Sequence, residues 1–136
     1  MPFTGKILLF LVFALAFTYY LKAQTFQFNC FQEALYPYVQ TGDTNWLDAD
    51  YAVIIDFEKK SVDIKNHPAL NFQITRFNPL RVDKTGNTIV CNAIDNEGIR
   101  CNVELTLFRE LSFHVATLVV RYSTLTHSYR LRNIKR

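Results

Sequence analysis

Cys30, Cys91 and Cys101, with His67, His114 and His127, hold most of the chemistry open to this chain of 136 residues. A thiolate beside an imidazole makes a nucleophile with its base, and both groups ligate zinc. The spacings argue against either use. There is no Cys-x-x-Cys pair, and no histidine falls at a ligand interval from a cysteine. Glu110, Ser112 and His114 have the residue types of a hydrolytic triad. On a strand they share one face at intervals of ~7 Å, too far for the hydrogen-bond relay a triad needs. Asp43, Asp48 and Asp50 could offer calcium hard oxygen ligands, but they lack the spacing and the glycine of an EF-hand loop. A solvated turn is the plainer reading. The four glycines stand at 5, 42, 86 and 98, so no phosphate loop or dinucleotide fingerprint can be written. Neither Gly-x-Ser-x-Gly nor His-Glu-x-x-His occurs. The expectation is no catalytic residue, no metal ligand and no cofactor, in a protein that is not an enzyme.

What the cysteines do depends on where the chain goes. Residues 1–23 carry Lys6 and Lys22 and no acid, and Ile7 to Tyr20 is an uncharged run of 14 residues. A bilayer crossing needs ~20 apolar residues, so the run suits a signal peptide, with cleavage after Ala23. A retained anchor is the alternative. Export places the chain in the periplasm or outside the cell, touching the membrane only through its leader. There the cysteines become disulfide candidates, and an odd number leaves one over. Cys91 and Cys101 flank Asp95-Asn96-Glu97-Gly98, a turn with glycine in the left-handed position. A three-residue loop sets Asp95 against Ile99, Ala93 against Cys101 and Cys91 against Val103. The two cysteines then lie diagonally on one face. A Cys91–Cys101 bridge is the first expectation; pairing of either with Cys30, or no bridge, remains open.

Formal charge is +3, but without the leader 13 basic residues face 12 acidic ones. That balance gives no reason to expect nucleic acid. Charge is uneven along the chain: residues 43–63 hold six acids, whereas residues 121–136 hold Arg121, Arg130, Arg132, Lys135 and Arg136 and none. Arg121, Arg130, Arg132 and the interleaved Tyr129 form the candidate surface for an envelope protein or glycan. A basic edge that discourages sheet aggregation is the alternative.

These residues must be carried by strands. Val53, Ile55 and Phe57 alternate with Ile54, Asp56 and Glu58, turn at Lys59-Lys60, and return through Val62 and Ile64. A two-residue loop there would set Phe57 against Val62. Leu70, Phe72 and Ile74 form the next inward row. Ile99, Cys101, Val103, Leu105 and Leu107 alternate cleanly with polar residues, and Ile89, Cys91 and Ala93 face them across the turn. Asp83-Lys84-Thr85-Gly86 repeats the Asp-x-x-Gly pattern. Ser112 to Tyr122 is apolar on both faces, as in a central strand or a closed sheet. Thr126 to Asn133 turns Tyr129 and Leu131 inward and Arg130 and Arg132 outward. Helical periodicity fits only Cys30–Val39, where Pro37 limits it.

The reading is all-β: one antiparallel meander of six or seven strands, strongly curved or closed into a small barrel, behind an N-terminal signal helix. Residues 1–23 are the leader, 24–49 an aromatic-rich segment packing on the sheet, and 50–136 the meander. The meander order, with Trp46 before the first strand, loosely resembles the lipocalins, although Thr44-Asn45-Trp46 stands where their Gly-x-Trp motif would be. That resemblance implies a cup for a small apolar ligand. The favoured function is a non-catalytic binding or structural module of the envelope or secretome, and the lipocalin-like cup is the alternative.

Overall fold

The computed structural model describes residues 25–37, 45–109 and 115–134. The leader, the acidic Asp43 and the Glu110–Ser112–His114 trio lie outside the described residues.

Among the described residues nine strands follow in order: β1 (Thr25–Pro37), β2 (Leu47–Asp56), β3 (Ser61–Ile64), β4 (Leu70–Phe77), β5 (Arg81–Val82), β6 (Gly86–Asp95), β7 (Arg100–Phe108), β8 (Ala116–Arg121) and β9 (Leu125–Asn133). Each pairs antiparallel with its neighbours. β4 pairs with β6, and β9 returns to β1, so eight strands close into a barrel. β5 pairs only with the start of β6, as a short flap. Closure leaves the ring with no outer edge strand, which an open meander of this length would have to protect.

Alternation decides the faces. Cys101, Val103 and Leu105 of β7 are buried while Arg100 and Asn102 are exposed, and Ala116, Leu118 and Val120 of β8 point inward. Phe72, Ile55, Ile64, Leu131, Val53 and Val62 fill the centre. An eight-stranded barrel is just wide enough for side chains to occupy its interior. Here they do: the gaps left among Ile55, Val62, Ile74, Leu105 and Leu118 are too small to hold water.

Several expectations need correction. Residues 25–37 do not pack upon the sheet or turn as a helix; they are β1, the strand that closes it. A bulge between Cys30 and Gln32 explains the misreading. Phe28 and Cys30 point inward, Phe31 turns to the outer wall, and Ala34 is again buried, so the apolar spacing imitates a helix. The first hairpin turns through Phe57–Lys60 rather than Lys59-Lys60 alone. Ile55 therefore faces Val62 and Val53 faces Ile64, with both rows still inward. Its register is set by the Phe57 carbonyl accepting from the Lys60 amide and by the Asp56 carboxylate accepting from the Lys59 amide. The expected six or seven strands become nine because β1 and β5 were not read as strands.

The β6–β7 hairpin has the expected register, with Ala93 opposite Cys101 and Cys91 opposite Val103. No disulfide joins Cys91 to Cys101, or either to Cys30. Diagonal placement is the physical reason: the Cys101 thiol points toward the Ala93 carbonyl at 3.8 Å, across its own rung.

Candidate functional site

A concavity lies on the outer wall, where β4, β6, β7 and β8 pass side by side. Outward positions alternate along each strand, so Asn92 and Ile94 of β6, Arg100 and Asn102 of β7, and Arg121 of β8 all look into it. Register places Asn92 directly opposite Asn102, and Asn102 opposite Arg121. Thr75 of β4 follows inward Ile74 and points outward, where its hydroxyl donates to the Asn92 carbonyl at 3.2 Å, and the bulge between Ile74 and Arg76 turns Arg76 outward as well. Tyr122 and Ser123, in the β8–β9 turn, complete the groove. Its volume is about 700 Å³, within the range of ~300–1,000 Å³ that ligand sites occupy.

Among the described residues, no acidic one lines this groove. Glu97 acts on Tyr122 at its rim, and two further carboxylates beside it, Glu104 and Asp95, are engaged by partners. Glu104 pairs with Arg121 and lies 3.4 Å from Arg81. Asp95 accepts the Tyr122 hydroxyl at 2.9 Å and the backbone amides of Glu97 and Ile99, both at 2.9 Å. Burial pushes the Asp95 carboxyl up, but these donors outweigh it and hold it below the usual carboxylate range. Burial and the bond to Asp95 together push the Tyr122 phenol well up, so it stays protonated. Burial raises the Cys101 thiol to about 11, which leaves it a poor nucleophile near neutrality. The Arg100 and Asn102 side chains, by contrast, make no hydrogen bond or ion pair among the described residues.

Among the described residues of the basic set, Arg121 reaches the groove and Arg130 and Arg132 do not. Arg121 sits opposite Thr126, four residues along β9 from Arg130, a separation of ~13 Å. Arg130 lies over the Trp46 ring at 3.9 Å and donates to Gln32 at 2.9 Å. Arg132 donates to Asn29 at 2.9 Å and lies 5.3 Å from the Phe31 ring. Tyr129 is 2% exposed and faces the barrel interior, so it shares no surface with these arginines. Sequence reasoning grouped them because they are close in the chain, but strand alternation separates Tyr129 from its neighbours, and length separates Arg121.

A second polar cluster escaped the sequence. Inside the end of the barrel formed by the β8–β9 turn and the start of β2, Cys30, Glu33, Tyr51, His127 and Tyr129 share the inner face. Tyr51 donates to Glu33 at 2.5 Å, and the Cys30 thiol donates to the Gln32 carbonyl at 3.2 Å. Burial raises Cys30 to about 11. Burial also lowers His127, against the opposing pull of Glu33. The β1 bulge hid this cluster, because straight alternation from Cys30 would send Glu33 outward. Among the described residues no three His, Cys, Asp or Glu side chains assemble as a metal site.

No family model, curated protein or solved structure matches the chain.

Proposed function

We propose that this protein is a non-catalytic binding module of the cell envelope or secretome, and that its ligand lies in the outer groove of β4, β6, β7 and β8. The observation that carries this reading is the contrast between the two surfaces. The middle of the interior is filled by apolar side chains, whereas the outer wall holds a concavity of about 700 Å³ to which arginine and asparagine side chains contribute beside Ala93, Ile94 and Cys101. Rigid strands display those side chains, so little ordering is needed when a ligand binds. The closed meander is also consistent with a lipocalin-like cup, but a cup for an apolar ligand needs room inside. The groove reading therefore stands ahead of it.

Amide chemical-shift mapping separates the two. Soluble envelope polysaccharide should shift Asn92, Arg100, Asn102 and Arg121, and Asn102→Trp, which fills the groove from an exposed position, should abolish those shifts. Oleate should leave Ile55, Phe72 and Leu118 unmoved. Saturable oleate shifts at those inward residues, with none in the groove, would overturn the proposal in favour of the cup.

A further inference from the structure

We infer that the groove recognises an acidic saccharide, one bearing carboxylate or sulfate groups among its hydroxyls; this rests on the groove being the ligand site. Three features carry it. The first is charge. Asp95 is held by Tyr122 and Glu104 by Arg121 and Arg81, while Glu97, whose charge reaches Tyr122, forms no ion pair with Arg100. Arg76, exposed and opposite Asn92 in register, likewise makes no hydrogen bond or ion pair among the described residues. Two guanidinium forks thus flank the groove with all their donors available, and a fork matches carboxylate or sulfate in a bidentate way.

The second feature is the mixed donor and acceptor character of the floor. Asn102 and Ser123 each offer both functions, as a chain of hydroxyl groups requires. Tyr122, whose ring packs against the core and whose hydroxyl is held by Asp95, closes one end of the groove rigidly.

The third feature excludes the main competitor. An extended acidic peptide binds a sheet best by adding to an open edge. The groove lies on the wall of a closed barrel, where β6, β7 and β8 are paired on both sides. Recognition there must run through side chains alone, which suits a ligand whose polar groups are hydroxyls and anions.

Binding of the purified protein to a panel of short uronate and sulfated oligosaccharides tests the inference, with neutral oligosaccharides of equal length and oligoglutamate as comparators. Acidic saccharides should bind at least tenfold more tightly than neutral ones, and added salt should weaken them. Arg100→Gln and Arg76→Gln, both at exposed positions, should each reduce that affinity several-fold without altering the fold seen by circular dichroism. Equal binding of neutral and acidic sugars, with shifts in the groove, would overturn the acidic specificity and leave the groove reading intact. Oligoglutamate binding as tightly as the best saccharide would overturn recognition of a sugar. Acidic saccharide binding unaffected by Arg100→Gln, Arg76→Gln and Asn102→Trp would overturn the inference and the groove reading together.

Discussion

Two glycines in similar turn motifs serve different physical ends. Gly98 has φ +84° and open space where a Cβ would stand, so its need is conformational. Gly86 has no positive φ; a Cβ there would sit 2.1 Å from the Leu107 carbonyl oxygen, so its need is room against β7. Gly98→Ala should cost ~1 kcal/mol, the strain of a left-handed non-glycine residue. Gly86→Ala should cost ~3 kcal/mol, because the backbone of β7 must move. Urea unfolding of both variants checks the order, and a larger loss at Gly98 would contradict it. The cysteines carry a second prediction. Since burial holds Cys30 and Cys101 near 11, iodoacetamide at pH 8 should label them far more slowly in folded protein than in urea. Unfolded, unreduced protein should take up three alkyl groups. Uptake of one, with Cys91 and Cys101 peptides joined, would show that the hairpin can twist far enough to bridge them.

The β6–β7 hairpin is the element on which the site depends, and Asp95 ties it to β8. The Asp95 carboxyl is depressed in the folded protein, so its contribution to stability is complete above the unfolded value of ~3.9 and is lost as pH falls through the lower folded value. His127 acts in a higher window. Its folded pKa lies below the ordinary 6.5, so the unfolded chain takes up protons first and stability declines as pH drops from there toward the folded value. Asp95→Asn should therefore flatten the loss of stability below about pH 4 while leaving the decline that starts near pH 6.5. Thermal melting across pH 3–8 measures both. A variant whose acid limb matches the parent would show that other carboxylates govern acid unfolding.

Across the whole molecule, closure makes the core one continuous unit. Leu118 is fully buried at the middle of β8, opposite Leu105 on one side and Tyr129 on the other. Leu118→Ala should cost ~3 kcal/mol, the transfer loss plus the cavity left behind. The same variant also creates interior space. If it acquires affinity for a small apolar probe that the parent lacks, the barrel is a potential cup held shut by packing; the parent itself binding that probe would contradict the filled interior.

Much of this architecture was already written in the order of residues. Period-two alternation determined which side chains of β7 and β9, and of β4 as far as Ile74, turn inward, and Asp95 with Gly98 determined the β6–β7 register down to Ala93 opposite Cys101. These are local properties, set by the pleat and by turn stereochemistry. Closure is not local. That β9 returns to β1 and β4 reaches β6 depends on twist summed over the whole sheet, and no window of sequence carries it. The bulges in β1 and β4 lie between these levels. Each shifts the alternation by one residue, sending Glu33 into the barrel and Arg76 out beside Asn92, because two residues on one strand must oppose one on its partner. The groove joins residues from four segments of the chain, so its existence was decided by the pairing of β4 with β6 and of β7 with β8, where hydrogen bonding between distant strands brings Thr75, Asn92, Asn102 and Arg121 onto one wall.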